Sequence, residues 1–159
     1  MKLATTTADY QRRLDNPAGI IDFFKDTGFR HLDLNFYNGI YAQSPLLDDS
    51  WQKWTDILQI AASGNHKKFC QANAPAGNLH GEGGDFDTFL LANLRSIEIC
   101  GMLKIPNLVI HAQDIGGYPS CQNRLMNLRR NKDFFAKLYS AMEENGVNLL
   151  LENSCDRHA

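Results

Sequence analysis

Residues 146–159 read GVNLLLENSCDRHA, and this stretch decides how the rest of the chain is interpreted. The apolar run from Val147 to Leu151 predicts a buried strand. The strand ends on Glu152, and a carboxylate that follows three leucines is costly to bury unless it is paired, protonated or bound to a metal. Strands that close on a carboxylate usually open onto a loop that uses it. Glu152 is therefore a candidate functional residue, although the sequence stops seven residues later.

Four similar runs of β-type residues precede this one, and helical patterns separate them. The runs are KLATTT (2–7), FRHLDLNFY (29–37), KKFCQANA (67–74) and NLVIHA (107–112). The helical patterns lie within 16–28, 49–64, 85–101 and 132–146. Each repeat spans roughly 30–40 residues, the size of one βα unit. Strands that alternate with helices predict a parallel sheet with right-handed crossovers.

The helical patterns carry capping signals and apolar stripes. Asn16 is a predicted N-cap with Pro17 at the first helical position. Glycines are predicted to end the four helices, at Gly28, Gly64, Gly101 and Gly146. The predicted stripes are Trp51, Trp54, Leu58 and Ala61, then Leu90, Leu94 and Ile97, then Phe134, Leu138 and Met142 with Phe135 and Tyr139 beside them. The spacing of the two tryptophans favours core positions over an exposed stacking surface.

Two α/β architectures fit this alternation. A doubly wound sheet usually carries a glycine-rich phosphate loop after its first strand, whereas here the first strand runs into TTTADYQRR (5–13). HGEGGD (80–85) follows the third strand, lacks the required spacing and is interpreted as a flexible loop. The alternative is a (β/α)8 TIM barrel. Both architectures place their ligands beyond the carboxyl ends of the strands, where two long loops are predicted at 74–85 and 112–130.

The composition narrows the function classes. The chain has 159 residues and a net charge of −2, so no global positive field indicates a nucleic acid or membrane partner. No apolar run reaches the roughly 20 residues of a membrane span, and the N-terminus lacks the apolar segment of a signal peptide. The four cysteines show no C-x-x-C spacing. These features predict one domain in a reducing cytoplasm, with free thiols.

Polar residues stand where the predicted strands end. Strand side chains alternate between faces, so Asp33 and Asn35 share one face, as do Gln71 and Asn73. His111 closes the fourth strand and Glu152 the fifth. The leucines and isoleucines between these residues are expected to face the helices, namely Leu32, Leu34, Leu108, Ile110, Leu149 and Leu151. The sequence therefore predicts a ring of polar groups inside the C-terminal mouth of the sheet.

Taken in order, GFRHLDLNFY, CQANAP, NLVIHAQD and NLLLEN resemble the xylose isomerase-like TIM barrel superfamily, which includes sugar phosphate isomerases and epimerases. The resemblance covers the whole chain. It implies an acidic residue after the second strand, here Asp33, and a histidine after the fourth, here His111. It also implies a metal-binding glutamate followed by asparagine, here Glu152 and Asn153. The third strand departs from the family, because Asn73 stands where a histidine is common.

The resemblance implies a metal-dependent isomerase or epimerase that acts on a small sugar or hydroxy-ketone. Glu152 would bind a divalent cation (Mn, Mg or Zn) and exchange a substrate proton, and His111 would hold or polarise the substrate oxygens. Substrate-binding roles are expected for Asp33, Asn35, Asn73, Phe36 and Tyr37. One carboxylate and one histidine are too few ligands for a tight site.

Barrels of this kind typically have about 250 residues, so this chain is expected to form only the N-terminal part, with about five of the eight βα units. The family's other metal ligands lie on the later strands. An open parallel sheet exposes an unpaired edge, and the expected remedy is a homo-oligomer, most simply a dimer.

Two further interpretations stay open. One is a truncated barrel without catalysis that acts as a homo-oligomeric binding or assembly module. The other is a nuclease like the AP endonucleases, for which the basic residues of NRLMNLRRNK (123–132) could contact phosphates. The same run fits the solvated start of a helix, and the negative net charge ranks the nuclease lower.

Overall fold

The computed structural model describes residues 3–8, 16–36, 44–76, 85–112 and 121–152. The strands are β1 (Ala4–Thr6), β2 (His31–Asn35), β3 (Lys68–Asn73), β4 (Asn107–His111) and β5 (Asn148–Glu152). The helices are α1 (Pro17–Phe24), α2 (Trp51–Gly64), α3 (Asp85–Met102) and α4 (Cys121–Asn145), with a 3₁₀ helix over Pro45–Leu47. The predicted alternation of strands and helices is confirmed.

The five strands form one parallel sheet in the order β1-β2-β3-β4-β5, the same as their order along the chain. Each crossover therefore places the next strand on the same side of the previous one. A doubly wound sheet reverses its strand order at a switch point, whereas a barrel does not. The strand order thus selects the partial (β/α)8 architecture, and the competing doubly wound prediction is wrong.

One face of the sheet packs into the hydrophobic core. Leu32, Leu34, Leu108 and Ile110 are all at most 1% exposed, as expected for residues that face the helices. On the helix side the core is filled by aromatic and aliphatic side chains, including the stacked rings of Phe89 and Phe134, whose centroids are 5.1 Å apart. Leu151 lies on the same face but is 62% exposed, because it stands on the edge strand.

The tryptophans of α2 contribute to the core, as the sequence predicts. Trp54 is 6% exposed, and Trp51 packs against the core with the Arg95 guanidinium 5.9 Å from its ring centroid. The stripe of α4 is also confirmed at Phe134 and Leu138, which are buried, whereas Tyr139 is exposed.

Helix α4 begins earlier than predicted. The long loop expected at 112–130 is wrong in its second half, since the helix starts at Cys121. The basic run lies in the first half of α4, as its interpretation as the solvated start of a helix indicated, and the side chains of Arg124, Arg129, Arg130 and Lys132 are exposed. The apolar residues of this half are exposed as well, at Leu125, Met126 and Leu128. None of the helices in the described part of the chain is both long and apolar enough to cross a membrane.

Only some of the glycines that were predicted to end the helices do so. Gly146 follows α4 with a φ of 63°, the left-handed conformation that glycine adopts without strain. Helix α1 ends at Phe24, before Gly28, and α3 continues past Gly101 to Met102. Gly101 is required for packing, because a Cβ there would lie 2.5 Å from the Oδ1 atom of Asn145 on α4.

Candidate functional site

The carboxyl ends of the strands bring the predicted polar residues to one edge of the sheet. Asn35, Asn73, His111 and Glu152 are the last residues of β2, β3, β4 and β5. Because all neighbouring strands are parallel, these four residues end on the same edge. This edge is where α/β folds of either kind bind their ligands.

The register places the same residues on one face. Asn35 pairs with Asn73 and Asp33 with Gln71, while His111 pairs with Glu152. Asn73 pairs in turn with Val109, which links the two halves of the row. Residues paired across neighbouring strands share a face, and this face is opposite to that of the buried leucines. The predicted row of polar groups therefore exists, on the face turned away from the core.

Asp33 and Asn73 form the tightest contact of the row. The Nδ2 atom of Asn73 donates to both carboxylate oxygens of Asp33, at 2.9 and 2.8 Å. Burial raises the pKa of the Asp33 carboxyl above its ordinary value, although side-chain hydrogen bonds to Thr6, Asn73 and Gln71 act in the opposite direction. Each of these bonds favours the ionised form. The residues around Asp33 thus offset part of the cost of burying its charge.

Two threonines of the first unit support Asp33 and were missed as site residues. Thr6 is the register partner of Asp33 and also hydrogen-bonds to its side chain. The backbone N–H of Thr7 donates to the carbonyl of Asp33 at 2.9 Å, and its hydroxyl accepts from the N–H of Asn35 at 2.9 Å. Three consecutive threonines at the end of the first predicted strand were the available signal.

His111 and Glu152 form the second pair of the row. The Nε2 atom of His111 lies 3.7 Å from the Oε2 atom of Glu152, and the two side chains are 37% and 54% exposed. Both groups are therefore open to solvent and to a ligand. An imidazole beside a carboxylate can hold a substrate oxygen, transfer a proton or supply two ligands to a metal ion.

The described residues do not form a metal site by themselves. Among them, no group of three or more His, Cys, Asp or Glu side chains is placed to hold a metal ion. The separation of His111 and Glu152 fits two ligands that share one cation at bond lengths of about 2.0–2.2 Å. Asp33 is two strands from β4, or about 10 Å across the sheet, so it does not join this pair. Two ligands are fewer than a divalent cation requires.

Four other predicted residues complete the set, namely Asn35, Phe36, Tyr37 and Asn153. Asn35 is partly buried at the end of β2. Phe36 is only 1% exposed and packs in the core, with its N–H donating to the carbonyl of Asn73 at 2.8 Å, so it supports the site from below. Tyr37 and Asn153 lie outside the described residues.

No protein-family model matches the sequence, and no curated protein sequence matches it either. Solved structures do match. A putative xylose isomerase from Rhodospirillum rubrum superposes with a TM-score of 0.67 at 12% identity, over 94% of this chain and 53% of that one. A D-tagatose 3-epimerase-like protein superposes with a TM-score of 0.71 at 14% identity, over 100% of this chain and 55% of that one.

The chain has the fold of a xylose isomerase-like TIM barrel. A third solved structure, a xylose isomerase-like TIM barrel protein from Mycobacterium smegmatis in complex with magnesium, matches with a TM-score of 0.62 at 14% identity. The match covers 94% of this chain and 54% of that chain. The chain thus spans about half the length of the solved structures that it matches. At these identities the likeness concerns the fold.

Proposed function

We propose that this chain carries part of the active site of a divalent-metal-dependent sugar isomerase or epimerase. The observation that carries the proposal is the pairing of His111 with Glu152 at the carboxyl end of a singly wound parallel sheet, with 3.7 Å between Nε2 and Oε2. The solved structures of the same fold, which are named as a sugar isomerase and an epimerase-like protein, support the same class of reaction.

The proposed reaction is a proton transfer next to a carbonyl group. The carboxylate of Glu152 takes the proton from the carbon beside the carbonyl, which leaves an enediolate. In an isomerase Glu152 returns the proton to the neighbouring carbon, while the hydroxyl proton moves from one substrate oxygen to the other. In an epimerase Glu152 keeps the proton, and a second acid outside the described residues protonates the same carbon from the opposite face. An imidazole N–H of His111 holds the substrate oxygen on which negative charge develops.

The first pair of the row orients the substrate. Asp33 accepts side-chain hydrogen bonds from Asn73, Thr6 and Gln71, which hold its carboxylate in a fixed position. A sugar hydroxyl is proposed to donate to this carboxylate in place of one of these bonds. Asn35 and Asn73 add amide groups on the same face, and Tyr37 is proposed as a further wall of the pocket.

The chain's ligands for the cation would be Glu152 and His111. A bound Mn²⁺, Mg²⁺ or Zn²⁺ would polarise the carbonyl and hydroxyl oxygens of the substrate. Since the described residues provide two ligands, we propose that the remaining ones come from residues outside the described ranges, from a second chain or from water. The magnesium present in one matching structure supports a metal for this class of fold.

The direct test is exchange of carbon-bound hydrogen. The purified chain is incubated in D₂O with excess Mn²⁺ and a panel of aldoses and ketoses, and NMR follows the loss of the proton next to the carbonyl. Wild type should exchange this proton, whereas Glu152→Gln should not. Exchange that survives in Glu152→Gln would exclude Glu152 as the base, and no exchange with any sugar would leave the non-catalytic alternative.

We also propose that a second copy of the chain packs on the β5 edge. In the described sheet β5 pairs only with β4, and its Leu150 and Leu151 are 42% and 62% exposed. Exposed apolar residues on an unpaired strand form a surface for strand addition. A dimer would also bring metal ligands of the second copy toward Glu152. If the chain has no catalytic activity, the dimer would correspond to the alternative of a homo-oligomeric assembly module.

A further inference from the structure

A cavity of about 900 Å³ lies at the opposite edge of the sheet, where β2 and β3 begin. Its walls include six basic side chains, Lys25, Arg30, His31, His66, Lys67 and Lys68. The other lining residues are neutral, and no aspartate or glutamate of the described chain lines the cavity. The volume is in the range of small-molecule sites.

The charge at this cavity opposes the charge of the whole protein. The chain has a net charge of −2 and 16 lysines and arginines, of which four line this one cavity. A cleft lined by charges of one sign concentrates the electric field and attracts ligands of the opposite sign. The charge of the lining therefore favours anionic ligands over cationic ones.

A comparison of three helix ends within the chain shows that one of the cations replaces a core residue. Helices α2, α3 and α4 end in the same hydrogen-bonded turn, in which the N–H groups of Lys67, Ile105 and Val147 donate to carbonyls five residues earlier. All three side chains are buried, at 7%, 1% and 4% exposure. Two units thus place an aliphatic residue at this position, and the unit beside the cavity places a lysine.

The contacts of Lys67 leave one donor for a ligand. Its Nζ atom donates to the carbonyls of Thr27 and Phe29, at 3.2 and 2.9 Å. An ammonium group has three N–H donors, so one remains. Within the described part of the chain Lys67 forms no ion pair, and a buried charge is costly unless it is paired. A bound anion would supply the missing charge.

The residue before Lys67 has the same backbone conformation as its counterparts in the other two turns. His66 has a φ of 54°, and Lys104 and Gly146, which precede Ile105 and Val147, have φ values of 57° and 63°. The left-handed residue is thus common to the three turns, and the buried lysine is particular to this one. Cations are favoured near the carboxyl ends of helices such as α1 and α2. That effect accounts for exposed cations at these ends, but it does not account for the buried Lys67.

We propose that this cavity binds a small molecule that carries two or more phosphate groups. Lysine ammonium groups bind phosphate as point charges, and the guanidinium of Arg30 binds it in a two-pronged geometry. The site lies at the opposite end of the strands from Asp33 and Glu152, so it is independent of the proposed isomerase site. It would act as a separate ligand-binding site on the same sheet.

The test is calorimetric titration of the chain with pyrophosphate, in the absence of divalent cations. Wild type should bind it saturably at one site. The double variant Arg30→Gln/Lys68→Gln and the single variant Lys67→Met should each lose about tenfold in affinity or more, as expected for lost hydrogen bonds to a charged group. Lys104→Gln is the matched control, because Lys104 is exposed at the same turn after α3 and does not line the cavity.

A titration with ADP distinguishes between a nucleotide and the phosphate groups alone as the recognised ligand. ADP that binds more tightly than pyrophosphate would indicate a nucleotide, and equal affinities would indicate recognition of the phosphates alone. Both results support the proposal. If Lys67→Met does not fold, the double variant still decides, since Arg30 and Lys68 are exposed. No saturable binding, or an equal loss in Lys104→Gln, would overturn it.

Discussion

Asn73 donates both of its short side-chain hydrogen bonds to Asp33, so that the carboxylate at the end of β2 is held by an amide from the next strand. The two residues are not register partners, because Asn73 pairs with Asn35 and reaches back by two residues. Asn73, which stands where the resembled superfamily commonly has a histidine, thus has a definite structural partner. It stabilises the charged form of a partly buried carboxylate.

Replacing Asn73 should make stability more sensitive to pH. Because the folded-state pKa of Asp33 is raised, its contribution to stability is full below the unfolded value and is lost as the pH rises through the folded value. Asn73→Ala removes a bond that lowers this pKa and so raises it further. The variant should lose about 1 kcal/mol at neutral pH, and less near pH 4.

Urea unfolding at several pH values measures this effect. Asn148→Ala is the control, since the Nδ2 atom of Asn148 donates to the side-chain Oδ1 atom of Asn107 at 3.2 Å, between two neutral groups at the other end of the sheet. Its cost should not depend on pH. Parallel pH profiles for the two variants would contradict the role assigned to Asn73.

Glu152→Gln should abolish stabilisation by metal. A cation that binds only the folded chain raises its stability, by about 1.4 kcal/mol at tenfold excess over its Kd. Wild type should therefore show a higher Tm with Mn²⁺, and Glu152→Gln should show the same Tm with and without it. Glu144→Gln, at an exposed position on α4, should keep the gain. An equal gain in all three proteins would exclude Glu152 as a ligand.

Leu151→Glu should dissociate the proposed dimer. A carboxylate on the β5 edge would have to be buried, unpaired, in the interface. Light scattering should show dimers for wild type and monomers for this variant. Ile60→Glu is the control, because Ile60 on α2 is 72% exposed and lies away from the edge strand. A monomeric wild type would refute the proposed self-association.

Two glycine substitutions should have opposite effects. Gly146→Ala forces a Cβ into the left-handed region and should cost about 1 kcal/mol. Gly64→Ala lies at the end of α2 with open space around the added Cβ, and should stabilise by about 0.5 kcal/mol. Denaturant titration measures both values. The same sign for both variants would show that conformation does not control these positions.

Local sequence patterns were sufficient to predict the strands and helices and the polar residues at the ends of the strands. The apolar runs that end in His111 and Glu152 are strands, and the polar residues lie on the predicted face. The signal is strong because a buried strand needs apolar side chains on its core face and tolerates polar ones on the other. At the start of α4 two predictions conflicted: the loop over 112–130 was wrong in its second half, whereas the interpretation of 123–132 as a solvated helix start is confirmed.

The helix ends show the limit of local pattern. Glycine predicted the left-handed turn at Gly146, but His66 and Lys104 adopt the same conformation, with φ values of 54° and 57°. Neither residue type demands it. The conformation is imposed where the next strand must turn back to the sheet, and it is maintained by hydrogen bonds to the helix carbonyls.

By itself, then, the sequence determined the alternation of strands and helices and the set of polar residues at the strand ends. Only the tertiary structure decided the strand order, the pairing of Asn73 with Asp33 and of His111 with Glu152, and the convergence of six basic residues on one cavity. The physical reason is the separation along the sequence of the residues in contact. Periodicity reports which face of an element is buried, whereas strand order and side-chain pairing depend on contacts between residues about 40 positions apart, which no local pattern encodes.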